Sequence, residues 1–426
     1  MSGIESKGKS PFYPDQPVPV EFFTGRGEQI EHILQRGVGQ VAAGKPVTMF
    51  VEGEYGIGKS SIAAFTQRQA EMAYGLHGIY ATLGTATDLQ GVAEQILAAT
   101  VRSGAFQPQR GERIRNWLAK FIGEQHFFGF SLNLAALKQD APNLRLVGNL
   151  LEFLAQMIAR LKDTGTHGVF LILDEINGIA DDPSFAHFLK GLVDTNALSR
   201  EPVPLLLMLC GVEERRWELV RRHEPVGRIF DIVTIPPMTD EEMRDFYAAS
   251  FESVGMTVRK EAMAILTRYA AGFPKIMQVI GNAAYWHDRD GGVDEGDAES
   301  AILSASEEIG KKYVDEQVYQ ALRSTDYRAI LEKIAKLSPT DMTFTKSQVE
   351  AGLTDSEKRK FGNFLQRMTR LGVIRAGDVR GQYTFILRMV RLYIWLQTAH
   401  ERRLHGERDT APTARQGNIP SIDRGI

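Results

Sequence analysis

The chain has 426 residues, 43% apolar and 24% charged, with a net charge of −3, the composition of a soluble globular protein of two or three domains. A single cysteine, Cys210, excludes an intramolecular disulfide and a cysteine-rich zinc site, and fits a reducing, cytoplasmic setting. The longest apolar runs, VFLIL and LLLMLC, fall far short of the roughly 18 residues needed to span a bilayer, so no membrane partner is expected.

The opening stretch MSGIESKGKSPFYPD has no apolar core, so no secretory signal is expected. PVTMFVEG reads as a buried strand and KSSIAAFTQRQAEMAYG as the helix after it. Between them lies Gly53-x-x-x-x-Gly58-Lys59-Ser60, with Gly56 as an extra glycine. The pattern is that of a phosphate-binding loop (Walker A), formed by Gly53, Glu54, Tyr55, Gly56, Ile57, Gly58, Lys59, Ser60 and Ser61. Glycines let successive N–H groups turn inward around phosphate oxygens, and Lys59 reaches the β/γ-phosphates. The Ser60 hydroxyl ligates Mg²⁺, and the helix starting near Lys59 adds its positive end. By residue frequency such a match arises by chance about once in a hundred chains of this length.

A second strand is expected at GIYATLG (78–84). The region 90–165 is longer than a minimal core and holds HFFGFSLNLAAL, whose alternation suggests an inserted hairpin with Phe127, Phe128 and Phe130 as a candidate surface. GVFLILDEING (168–178) is a third buried strand closing in Asp174 and Glu175 (Walker B). There Asp174 would help hold Mg²⁺ and Glu175 would take a proton from the attacking water, which points to a hydrolysing ATPase with ATP and Mg²⁺ as ligands. VPLLLMLCG (203–211) and FDIVTIPPM (230–238) complete an alternating α/β pattern with parallel strands.

The order of these features resembles the AAA+ superfamily. The likeness is to the branch of replication-origin initiator ATPases, archaeal-type ATPases and related STAND and transposition-regulator ATPases, over about residues 20–400. The resemblance implies further roles. Gly25 and Arg26, in FFTGRGEQIEHIL, match a box closing over adenine and ribose. Gly272-Phe273-Pro274 matches the lid turn that precedes a basic γ-phosphate sensor, here Lys275 in place of the commoner arginine. Arg228 occupies the place of an arginine finger acting on a neighbouring subunit, with Arg221 and Arg222 as competitors. At the end of the fourth strand, where a polar sensor is usual, stands Cys210, which reads as a buried apolar residue and hints at slow turnover.

From 321 to 400 the chain carries fourteen Lys and Arg against seven Asp and Glu, an asymmetry pointing to a polyanion such as double-stranded DNA. DYRAILEKIAKL, TKSQVEAGL and DSEKRKFGNFLQRMTRLGVI read as three helices and IRAGDVRGQYTFI as a hairpin, together a winged helix. In the third helix Phe361, Phe364, Leu365, Met368 and Leu371 share one face. Lys358, Arg359, Arg367 and Arg370 fall outside it and, with Arg380, are candidate DNA contacts; Arg375 and Arg380 would sit in the wing.

The expected layout is an N-terminal extension (1–20), an AAA+ core (21–238), a helical lid (239–322), a winged helix (323–400) and a disordered tail (401–426). The expected function is an ATP-binding and hydrolysing switch governing DNA binding or assembly, with self-association or a protein partner. A STAND-type signalling or defence ATPase and a transposition regulator remain as alternatives. The absence of an internal repeat weighs against the former.

Overall fold

The computed structural model describes residues 7–14, 25–104, 106–123, 142–310, 324–335, 337, 342–371, 373–377, 379–386, 390–391 and 393–394. The expected hairpin with Phe127, Phe128 and Phe130, and the expected tail, lie outside these residues. Two compact units form, Pro17–Pro236 and, in the other, Met1–Gln16 with Pro237–Ile426.

The first unit is built on five strands, β1 Val47–Glu52, β2 Leu76–Thr82, β3 Gly168–Asp174, β4 Leu205–Gly211 and β5 Asp231–Thr234. They pair in parallel in the order β2-β3-β4-β1-β5. Every residue of β3 and β4 is buried, as central strands covered on both faces require. Val169, Leu171, Leu173, Leu205, Leu207 and Leu209 join one core cluster with helices α4 (Leu89–Arg102), α6 (Pro142–Leu161) and α7 (Pro183–Ala197). The alternate residues Phe170, Ile172, Leu206 and Met208 are buried on the opposite face. Truncating one such leucine to alanine costs about 2–5 kcal/mol. The second strand starts two residues earlier than expected, at Leu76, and buried His77 continues its pleat. Helix α3, Lys59–Ala73, leaves the C-terminal end of β1, and helix α8, Glu213–Arg222, leaves that of β4. The carboxyl ends of parallel strands are where such sheets bind ligands.

In the second unit, α9 (Asp240–Glu252), α10 (Lys260–Ala270), α11 (Pro274–His287) and α12 (Glu295–Ile309) pack together. Reciprocal capping boxes, Thr239 with Glu242 and Asp294 with Asp297, begin α9 and α12 by satisfying amide N–H groups that have no helical partner. Phe12 is buried edge-on against Phe246 and Phe251, so residues 7–14 belong to this unit's core. Further on lie α13 (Thr325–Ala335), α14 (Lys346–Glu350) and α15 (Asp355–Arg370). With them goes an antiparallel sheet of β8 (Thr343–Thr345), β10 (Gln382–Phe385) and β9 (Ile374–Ala376), in that order. Strand β8 is too short to announce itself in the sequence and exists by pairing with β10.

Candidate active site

Glu52 ends β1 and the chain turns at once into the loop 53–58. Gly58, at the N-cap of α3, has φ 103°, left-handed backbone that a side chain resists. The Lys59 ammonium folds back over this loop and donates to the carbonyls of Gly53 (3.0 Å) and Glu54 (2.8 Å). Burial pulls its pKa below the ordinary lysine value, while Cys210, Asp174, Glu54 and Glu175 pull it back up. Ile57 is buried under the loop and Tyr55 is 68% exposed. Gly56, Ser60 and Ser61 are partly buried.

Asp174, the last residue of β3, is buried with both carboxylate oxygens engaged. Oδ1 accepts from the Glu175 amide (2.8 Å) and Oδ2 from the Tyr80 hydroxyl (2.6 Å). The same hydroxyl lies 3.4 Å from the carbonyl of Ser60 in the first turn of α3. Burial, with the Asp174 charge beside it, pushes the Tyr80 phenol far above its ordinary pKa, so it stays a neutral donor. Glu175 has φ 56°, left-handed and rare for a residue with a side chain, and its carboxylate is turned toward Gly84 beyond β2. Such backbone outliers gather at functional sites, where the surrounding structure holds them.

Arg26 is the second left-handed residue here, at φ 65°. Its buried guanidinium donates to the carbonyls of Ile57 (3.2 Å) and Pro236, so it ties the loop 53–58 to the segment after β5. Two contacts were not foreseen. One is Tyr80, whose only signal was a hydroxyl inside an apolar strand. The other is a buried ion pair between Glu52 and Arg216 of α8, which also receives the Thr234 hydroxyl at 3.1 Å.

Residues 23–208 match the family profile described as the AAA ATPase domain. Two solved structures share the fold across both units. A Walker-type ATPase of Pyrococcus abyssi aligns with TM-score 0.56 at 17% identity, covering 88% of this chain and 96% of that one. The ORC2 protein of Aeropyrum pernix, solved as ADPNP–ADP complexes, aligns with TM-score 0.55 at 14% identity, covering 89% and 95%. No curated protein matches the chain.

Cys210 is fully buried opposite Val51 of β1, and burial raises its thiol pKa well above the ordinary value. Arg228 lies at the other end of the sheet, just before β5, whose Asp231 pairs with Met49 of β1. It is 79% exposed, with a loose 3.8 Å pair to Glu224, and lines a cavity of about 450 Å³ with Arg36 and Lys45. Strand β1 therefore separates it from its own phosphate loop. Arg222 pairs with Asp181 at 2.8 Å and Arg221 is exposed.

The remaining expected residues belong to the second unit. Lys275 is partly buried in the first turn of α11, after Gly272, where φ is 82° and an added Cβ would stand 2.7 Å from the Met238 carbonyl, so no side chain is admitted. On α15, Phe361, Phe364, Leu365 and Met368 are buried and Leu371 is partly so, while Lys358, Arg359, Arg367 and Arg370 are exposed. Lys360 pairs with Asp326, and Arg375 and Arg380 are exposed on β9 and in the turn after it. No helix among the described residues is long and apolar enough to cross a membrane.

Proposed function

We propose that the protein binds and hydrolyses ATP at the C-terminal edge of its parallel sheet. In this reading its nucleotide state controls DNA binding or assembly through residues 323–400, a winged helix that follows a helical lid at 239–322. The observation that carries the catalytic half is a convergence. Lys59 and Ser60 of the phosphate loop meet Asp174 at the end of β3, with Tyr80 in contact with both Asp174 and the first turn of α3.

In this reading the loop N–H groups and Lys59 hold the phosphates, Lys59 exchanging its two carbonyl partners for phosphate oxygens. Ser60 and Asp174 would hold Mg²⁺, which supplies charge neutralisation to the β/γ-phosphate oxygens. The donor set fits that ion, since Mg²⁺ leans on one or two carboxylates, water and substrate phosphates more than on a protein cage. Among the described residues no group of three or more His, Cys, Asp or Glu competes as a metal site. The Glu175 carboxylate takes a proton from water as its oxygen attacks the γ-phosphorus and ADP departs. Arg26 braces the loop beside the nucleotide, and Arg228 serves a neighbouring copy, since it faces away from its own loop.

The DNA half rests on α15, whose buried apolar face leaves Lys358, Arg359, Arg367 and Arg370 to solvent, with Arg380 in the adjoining turn. Fluorescence anisotropy of labelled duplex DNA with ATP, ADP or no nucleotide tests it. Salt-sensitive, nucleotide-dependent binding lost in Arg367→Glu/Arg370→Glu is the expected result. ATP hydrolysis that Lys59→Ala abolishes, with no DNA binding in any nucleotide state, would overturn the DNA reading in favour of a protein-contact switch.

A further inference from the structure

Tyr80 sits inside a strand that is otherwise apolar near its centre, and its hydroxyl donates to Asp174 Oδ2 at 2.6 Å. The register explains the meeting. Tyr80 pairs with Ile172 and Thr82 with Asp174, so Tyr80 and Asp174 stand on one face of neighbouring strands, two positions apart. A tyrosine there spans that offset, and a phenylalanine would fill the same space without the hydrogen bond. One hydroxyl has one proton. At 2.6 Å it goes to Asp174 Oδ2, and the 3.4 Å approach to the Ser60 carbonyl is close packing at the limit of a bond. The other oxygen is held by the Glu175 amide, so the carboxylate is clamped at both ends in a fixed plane. Each clamped oxygen still keeps acceptor capacity for a further donor.

We infer that Tyr80 is a positioning residue for the metal carboxylate, holding Asp174 in the orientation that Mg²⁺·ATP requires and spacing it from Ser60. The inference rests on the proposed assignment of Asp174 and Ser60 to Mg²⁺. Groups that orient a metal-binding carboxylate typically change metal affinity by tenfold or more when removed. A hydrogen bond to a charged acceptor is also the stronger kind.

The test is a fluorescence titration of full-length protein with a methylanthraniloyl-labelled ATP, first in EDTA and then with MgCl₂ added stepwise. Tyr80→Phe should raise the Mg²⁺ concentration at half-effect about tenfold while leaving affinity in EDTA unchanged. In an Asp174→Asn background the same substitution should add nothing, because the carboxylate it orients is gone. Thr82→Val, which alters β2 without touching that hydrogen bond, should behave as wild type.

An unchanged half-effect concentration in Tyr80→Phe overturns the assignment. So does an equal loss of affinity in EDTA, which would make the hydroxyl a support for the phosphate loop alone. A Tyr80→Phe protein that does not fold makes it a packing element and overturns it too. Wild-type nucleotide binding that is indifferent to Mg²⁺ is a separate failure, because it removes the metal reading of Asp174 before Tyr80 is tested.

Discussion

Arg216 and Glu52 form a buried ion pair, Nε to Oε2 at 2.7 Å, joining the helix after β4 to the residue before the phosphate loop. Glu52 also accepts the Thr234 hydroxyl, so three elements meet at one carboxylate. Removing one partner of such a pair strands a buried charge. Arg216→Ala should destabilise the protein by about 3 kcal/mol and weaken nucleotide binding, since the loop hangs from Glu52. Arg216→Met with Glu52→Leu should recover most of the stability. Urea unfolding of the single and double variants measures both, and a single variant within about 0.5 kcal/mol of wild type would contradict the account.

The left-handed backbone of Glu175 predicts a split between stability and turnover. Glu175→Gln should keep nucleotide binding and lose at least about a hundredfold in hydrolysis, because the proposed proton acceptor is gone. Glu175→Gly should lose as much turnover yet gain up to about 1 kcal/mol, the side-chain strain having been relieved. Thermal unfolding alongside phosphate release checks the pair. A glycine variant less stable than the glutamine variant counts against strain at this position.

His77 should make stability fall on mild acidification. It is fully buried, and its Nε2 meets Ser103 Oγ at 2.8 Å. The Ser103 proton goes to the Thr100 carbonyl at 2.6 Å, so Nε2 carries the hydrogen and donates. Nδ1 has no partner among the described residues. Burial, helped by the nearby Arg110 charge, lowers the pKa to about 4. The unfolded chain takes up this proton near pH 6.5 and the folded chain only near 4, so protons favour unfolding between those values. The loss should approach about 3 kcal/mol across the window and vanish above about pH 7. Glu71, whose carboxyl burial raises, works in the opposite sense as pH falls. The clean measurement is therefore the difference in urea midpoint between wild type and His77→Gln from pH 7 to 4.5. A difference constant over that range would contradict the assignment.

If α15 meets DNA through phosphates, its basic residues should set the salt dependence. Each lost phosphate contact lowers the slope of log affinity against log salt by about 0.9. Arg367→Ala/Arg370→Ala should therefore flatten it by nearly 2, with little dependence on DNA sequence. Lys360→Ala should change it far less, because Lys360 is engaged by Asp326. Equal effects from the two variants would point away from a defined α15 footprint.

The parts of the site that the sequence revealed are contiguous. Residues 53–61 carry their spacing within a single turn, and Asp174-Glu175 closes an apolar run whose burial follows from composition. A short motif brings its own backbone geometry with it, so Gly58 and Lys59 could be read before any fold was known. The parallel sheet was legible for a similar reason, since strands covered on both faces must be apolar throughout. Polar residues inside such strands were harder to read. The expected range of β2 left out buried His77, and Tyr80 gave no hint of its partner.

What the tertiary structure alone decided are the contacts between distant residues. Tyr80 reaches Asp174 across 94 positions and Arg216 reaches Glu52 across 164. Phe12 joins the core of a unit whose main body begins at Pro237. The register of parallel strands and the point where each helix returns are set by packing the whole sheet, and no local periodicity encodes them. Spacing along the chain sufficed to mark the glycine-rich loop at 53–58 and an acidic strand end. Which side chains clamp that acid, and that Arg228 faces away from its own loop, followed only when β1, β3 and β5 were laid side by side.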